Sequence, residues 1–384
     1  MKSDKTTPNV PTLRFPEFAG EWQDTTLGNV CVYRKTRRTA EKKNYISTEN
    51  ILQNYQGVER FTSNESISGD GFNKNDILMG NIRPYLKKVY YADFDGVCNA
   101  DVLVFKSNFI NPHFLYCRLA NDTFINYVMK SVKGSKMPRG DKSHIMQYPL
   151  SIPGEAEQSK ISNFIELLTS RIQVQNKIIS KYETLIKGIY HEFFSKPADY
   201  AIKIKDLIIK GKAGGTPSST VARYYNGDIP FLSISDMTKQ GKYVSHTEKH
   251  INESGIEDSS AWIVPSNSLI FSMYASVGLV CINTVPLATS QAMFSMVLKD
   301  CRMIEYIYYY LNFFRDTKIH RHIETGTQSN INAETVRNIE IPFQSNHSKL
   351  VETINSIEKR LNNEKDMLSL LVDLKAYLLS KLFI

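Results

Sequence analysis

Between Ile161 and Phe193 the apolar residues return at alternating steps of four and three: Ile161, Ile165, Leu168, Ile172, Gln175, Ile179, Tyr182, Ile186, Ile189 and Phe193. Nine of these ten are apolar or aromatic, Gln175 being the exception, which is the heptad pattern of a long helix packed along a seam. Adding 189 to each number gives Leu350, Ile354, Ile357, Leu361, Glu364, Leu368, Leu371, Lys375, Leu378 and Leu382, with no gap. The chain is therefore a tandem repeat. A helix of this length spans about 50 Å and does not stand alone in water. The obvious partner for each copy is the other, and antiparallel packing about a pseudo-two-fold axis is the simplest closure. Gln175 and Glu364 then lie near that axis, where one polar contact fixes register.

The stretches outside the helices repeat as well. The buried-strand pattern at Asp76–Met79 parallels that at Ser268–Phe271, and a helix opened by Asn111 and Pro112 parallels the aromatic-rich segment from Cys301 to Phe314. Ile152 and Pro153 parallel Ile341 and Pro342, and Gly134 with Ser135 parallels Gly326 with Thr327. The reading is α+β: two α/β domains in tandem, each followed by a long helix, the two helices pairing as an antiparallel coiled coil. Its boundaries are 1–153 for the first domain with an extended lead-in, 154–198 for the central helix, 199–342 for the second domain and 343–384 for the last helix. A length of 384 residues suits two cores rather than one.

Composition narrows the class. No run approaches the roughly 18 apolar residues of a membrane span, and the start, MKSDKTTPNV, has no apolar core for a signal peptide, so a cytoplasmic location away from the membrane is expected. Cys31, Cys98, Cys117, Cys281 and Cys301 form no C-x-x-C pair, which suggests inert thiols rather than disulfides or a metal site. The net charge of +8 is unevenly placed: residues 21–153 hold 18 Lys and Arg against 13 Asp and Glu, whereas residues 199–342 hold 14 of each. A polyanion is thus a partner for the first domain above all.

Enzymatic readings fare poorly. The tetrad from Asn111 to Phe114 is one residue away from the [DN]-P-P-[YF] motif of amino-methyltransferases, but His113 replaces the second proline and no glycine-rich cofactor loop precedes it. Residues 134–143 look superficially like a phosphate loop, yet Asp141 breaks the G-K-[ST] contact. No hydrolase elbow, H-E-x-x-H or nuclease carboxylate cluster is present in the sequence. A rigid bar with a globular unit at each end can instead hold two binding units at fixed separation on one face of a duplex.

Several segments carry a family resemblance. Residues 211–236, GKAGGTPSSTVARYYNGDIPFLSISD, together with LRFPEF at 13–18, Glu21 with Trp22, and Leu27 with Gly28, resemble the openings of target-recognition domains in specificity subunits of Type I restriction-modification systems. Ile152 and Pro153 followed by Glu157, Gln158, Lys160 and Ile161 resemble the I-P…E-Q-x-K-I helix entry of that family, from which the second copy departs with His347, Ser348, Lys349 and Leu350. The resemblance implies a non-catalytic subunit whose domains each read half of a bipartite DNA target. The helix pair would set the spacer and dock two adenine-methyltransferase subunits. Those partners would use S-adenosylmethionine, and restriction subunits would use ATP and Mg²⁺, with no cofactor or metal held by this chain itself. A scaffold presenting two domains on a coiled coil is the alternative, and it predicts no sequence-dependent DNA binding.

Contacts to phosphates require cations or free amides, and contacts to bases require forked donors. The candidates in the first domain are Arg34, Lys35, Arg37, Arg38, Arg83, Lys87, Arg139 and Lys142. In the second they are Lys212, Gly214, Gly215, Thr216, Ser218, Arg223, Tyr274, Gln328 and Asn330.

Overall fold

The structure of the protein, a computed structural model, describes residues 9–274, 276–322 and 330–384. The chain divides into two compact units, one running to Lys177 and taking in Asp366–Ile384, the other comprising Ile178–Lys365. The division falls inside the two long helices, Glu155–Phe194 of 40 residues and His347–Lys381 of 35. Each unit thus contains one globular domain and a part of both helices.

The seam is real in both copies. Ile161, Ile165, Gln175, Ile179, Ile186, Leu350, Ile354 and Leu361 are buried, and Leu168, Ile172, Ile357, Glu364, Leu368 and Leu371 are half-buried. In the first unit Ile161 and Ile165 share a core with Leu378, Leu382 and Phe383. In the second, the Gln344 amide donates to the Phe193 carbonyl at 3.0 Å while Lys365 pairs with Glu183 at 2.9 Å. Within each unit the start of one helix accompanies the end of the other, so the segments run antiparallel.

In the first unit, Cys31–Tyr33, Val102–Ser107, Ile77–Gly80 and Val89–Tyr91 form an antiparallel main sheet in that spatial order. Gln23–Thr26 and Pro149–Ile152 pair as a ribbon at its base. The second unit repeats this with Ile208–Ala213, Met293–Leu298, Leu269–Ser272 and Val280–Asn283, extended by Tyr243–Val244, and with the ribbon Tyr200–Lys203 and Glu340–Phe343. The matched helices are Pro112–Leu119 and Ile304–Thr317. Asn111 caps the first, accepting from the amides of His113 and Phe114, so its place in a methyltransferase-like tetrad has a structural cause. The parallel drawn with Gly326 and Thr327 lies outside the described residues.

A smaller sheet makes the two domains different. In both, a central strand, Gly96–Cys98 or Leu287–Thr289, has one parallel neighbour, Tyr45–Ile46 or Ile229–Leu232, and one antiparallel neighbour, Ser66–Phe72 or Ile263–Val264. The fourth strand joins at opposite edges. Arg37–Glu41 adds to the antiparallel neighbour in the first domain, and Lys249–Ile251 adds to the parallel neighbour in the second.

The segments carrying the family resemblance turn out to grip one another. Arg14 makes a two-pronged ion pair with Glu157 at 2.8 and 2.7 Å, and Lys160 pairs with Glu17 at 3.2 Å. The ring of Phe15 meets Phe164 edge-on at 5.8 Å. Gln158, buried, accepts from the Asn111 amide and donates to the Pro153 carbonyl, both at 2.9 Å, which ties the domain helix to the long helix. Because the Glu157 side chain is only 4% exposed, Arg14→Leu is expected to strand its charge. The first unit should lose about 3 kcal/mol, at the low end for breaking a buried pair. Chemical denaturation checks this, and an unchanged midpoint would show that the pair contributes nothing.

Candidate nucleic-acid interface

The most basic run of the sequence folds around a cleft at the junction of the first unit's two sheets. After the strand Cys31–Tyr33 the chain crosses to the edge strand Arg37–Glu41, and the cleft between is lined by Tyr33, Arg34, Lys35, Arg37, Asp70 and Lys142. Lys142 arrives from a distant part of the chain, fixed there because its carbonyl accepts from the Tyr33 hydroxyl at 3.1 Å. Lys35, Arg37 and Lys142 are exposed and make no ion pair among the described residues. Arg34 differs. Its guanidinium grips the buried Asp76 at 2.6 and 3.2 Å, an arrangement that closes a loop rather than waiting for a ligand.

The remaining cations of this domain sort by their partners. Arg38 donates to the Asn73 side chain at 2.7 Å, Lys87 pairs with Asp122 at 2.8 Å, and Arg139 pairs with Asp101 at 3.1 Å. Arg83 is exposed and unpaired among the described residues. Its amide donates to the Pro138 carbonyl at 2.8 Å, and Ile82 bridges Arg139, so Arg83 and Arg139 sit side by side. Surface pairs such as these contribute little stability, about 0–1 kcal/mol, and exchange readily for a phosphate.

One further regularity of the sequence lies in this region. Lys130, Lys133, Lys136, Arg139 and Lys142 stand at every third position, and all five are exposed. Lys133 pairs with Asp141, and with the amides of His144 and Ser143 it holds that carboxyl at about 2, so Asp141 stays ionised as the cap of the helix Lys142–Met146. The spacing itself was the available signal.

In the second domain the structure removes two candidates. The Gly214 amide donates to the Met293 carbonyl at 3.0 Å and the Gly215 amide to the Thr289 carbonyl at 2.9 Å, so neither is free for a phosphate. A Cβ at Gly214 would lie 2.0 Å from the Thr289 carbonyl oxygen, and one at Gly215 would lie 2.2 Å from the Ala261 nitrogen. These glycines serve close packing. Thr216 donates to the Gln291 side chain and Ser218 lies 2.8 Å from the Thr220 hydroxyl. Lys212 and Arg223 are exposed, the latter 5.4 Å from the Tyr224 ring. Tyr274 bridges Asn330, as Ile82 bridges Arg139 in the first domain, so these two candidates are brought together. Gln328 lies outside the described residues.

Among the described residues no group of three or more His, Cys, Asp and Glu side chains is placed to hold a metal ion, and no helix is long and apolar enough to cross a membrane. Burial pushes the thiols of Cys31, Cys98, Cys117 and Cys281 up to about 12.

Comparison with known proteins places these observations. The family described as Type I restriction modification DNA specificity domain matches twice, over residues 19–184 and 198–366. The specificity subunit of the Type I restriction enzyme HindI of Haemophilus influenzae is 22% identical over 451 aligned positions, covering 91% of this chain and 98% of that protein. The corresponding MjaIX subunit of Methanocaldococcus jannaschii is 28% identical over 193 residues, 49% of this chain and 44% of that one. Among solved structures, the Type I restriction-modification S subunit from M. genitalium superposes with a TM-score of 0.57 at 14% identity, over 98% of this chain and 99% of that one. A chain from a structure of type I R-M complex assembly reaches 0.59 at 18% identity, over 94% and 97%. These structural likenesses speak for the fold.

Proposed function

The chain belongs to the Type I restriction modification DNA specificity family, with two copies of its domain, and from that premise we propose that it is the non-catalytic subunit that reads a bipartite DNA target for a Type I restriction-modification complex. Each domain reads one half-site. The observation that carries this is the convergence of Lys35, Arg37 and Lys142, unpaired and exposed, on one cleft whose walls come from separate parts of the first domain. Cations that no carboxylate neutralises in an ion pair are what a phosphate backbone requires, since each neutralised phosphate releases counterions. The opposite placement of the fourth strand supports two different readers, hence two different half-sites.

The long helices set the spacer and receive two adenine-methyltransferase subunits, which bring S-adenosylmethionine; restriction subunits bring ATP and Mg²⁺, and the complex works in the cytoplasm. Support for helix docking comes from Met367, Leu370, Leu374 and Tyr377, which recur at steps of three and four on the second helix and are 44, 64, 45 and 55% exposed. Such a stripe is the half of a seam that awaits a partner.

Arg37→Ala combined with Lys142→Ala tests the reading. In the complex with methyltransferase subunits, duplex affinity should fall at least tenfold at low salt, and the slope of log affinity against log salt should drop by about 2, near 0.9 per lost phosphate contact. An unchanged slope would remove the cleft from the interface.

A further inference from the structure

We propose that Met137, at the tip of the loop between Lys133 and Arg139, is a specificity-determining residue that packs against thymine methyl groups in the DNA major groove; this rests on the DNA-reading function above. The loop is built as a presented probe. Lys133 and Arg139 exchange two backbone hydrogen bonds of 2.9 Å, making a two-stranded neck that leaves residues 134–138 as the tip. The neck is anchored from below by Asn81, only 5% exposed, whose side chain accepts from the Gly140 amide at 3.1 Å and donates to the Gly140 carbonyl at 3.3 Å. A Cβ at Gly140 would come within 2.9 Å of that Asn81 oxygen and 2.8 Å of Val128, so the residue is fixed by the fit. The Arg83 amide adds a further hydrogen bond to the Pro138 carbonyl.

What this clamp holds out into solvent is an apolar side chain. Met137 is 46% exposed and stands in the exposed series Lys130, Lys133, Lys136, Arg139 and Lys142, with Asp141 the one carboxylate from 130 to 142. The last of these lines the cleft, so loop and cleft form one basic surface. A face of that charge repels another basic surface and suits a polyanion. An apolar group inside it has no role toward phosphates but matches the one apolar feature of a base edge, the thymine C5-methyl. A major groove about 12 Å wide admits a two-stranded ribbon, and the flexible, polarisable methionine adapts to the methyl.

The test uses the complete chain with its methyltransferase subunits and duplexes in which each thymine of the two half-sites is replaced in turn by deoxyuridine, which removes only the methyl group. For the unaltered chain, at least one replacement should weaken binding about fourfold, the worth of one buried methyl. Met137→Ala should bind the all-thymine duplex about fourfold more weakly and lose its sensitivity at that position, while Met137→Leu keeps it. Lys136→Ala should weaken binding to both duplexes equally. If no position senses the methyl, or if Met137→Ala still does, the assignment is overturned. If the unaltered complex shows no sequence-dependent binding at all, the DNA-reading function itself has failed, which is visible before any variant is made.

Discussion

Removing one heptad from each long helix, residues 172–178 and 361–367, is expected to move methylation to targets whose spacer is shorter by about three base pairs. Seven residues of helix are about 10 Å, and duplex DNA rises about 3.4 Å per base pair. The excision keeps the seam in phase, because seven residues return it to the same face. It also spares the elements that hold each domain to its helices. The first domain's core takes in Ile161, Ile165 and Leu168 before the cut and Leu378 onward after it, and the second domain is held by the hydrogen bond from Asn355 to Glu305 and the ion pair of Glu358 with Lys242. Methylation of a spacer library by the assembled complex reads the outcome. A complex that still methylates only the original spacing would show that the helices do not measure it.

The second large effect concerns Lys242, whose ammonium group lies 2.8 Å from Glu305 and 2.7 Å from Glu358 and donates to the Tyr309 hydroxyl at 2.6 Å, with its side chain 10% exposed. Tyr309 in turn donates to Glu358 at 2.9 Å, and Tyr243 and Asn355 donate to Glu305 at 2.6 and 2.7 Å. The network joins the end of a sheet, the helix Ile304–Thr317 and the second long helix within one unit. Lys242→Ala leaves two carboxylates facing each other with little water, and the second unit should lose about 3–5 kcal/mol. At about 2–4 °C per kcal/mol for a unit of this size, its melting transition should fall by roughly 10 °C. Replacing the whole set, Lys242→Met with Glu305→Gln and Glu358→Gln, should recover most of the loss, since it is the unpaired charge that costs stability. Calorimetry decides; equal melting of the single and triple variants would contradict the ionic account.

The same network gives a pH signature. Burial by itself would raise the Glu305 carboxyl, but hydrogen bonds from Asn355, Lys242 and Tyr243 hold it below its ordinary value. A carboxyl with a lowered folded-state value stabilises above its unfolded value and loses that contribution as pH falls through the lowered one. The second unit should therefore weaken on acidification, and Glu305→Gln should flatten that part of the profile.

Much of the fold was legible in the chain because the signals are local. A heptad seam is periodic, so ten positions at steps of four and three declare a helix before any partner is known, and all of them are buried or half-buried in both copies. Asn111 followed by Pro112 is a cap and a first helical turn whatever surrounds it. The runs around Ile77 and Leu269 are strands in matched positions because continuous apolar stretches of that length fit the middle of a sheet. The family, too, follows from residues that stand near one another in sequence.

The interface was less legible, because a cation's availability depends on what folds opposite it. Arg34 and Arg37 are three positions apart and look alike in the sequence, yet one faces the buried Asp76 and the other faces solvent. Gly214 and Gly215 read as amides open to a phosphate until the strands Leu287–Thr289 and Met293–Leu298 bring carbonyls onto them. Lys142 and Arg37 line one cleft only because the main sheet and the helix at Lys142 close on the same corner. Likewise, whether a fourth strand joins one edge of a small sheet or the other is chosen by long-range pairing, which carries no short-range pattern. The sequence by itself determined two long helices, their repeat and the kind of domain each one follows, since those depend on period and on neighbours along the chain. Tertiary structure alone decided which charges are left without an ion-pair partner, since that depends on which groups distant segments place within a hydrogen bond of one another.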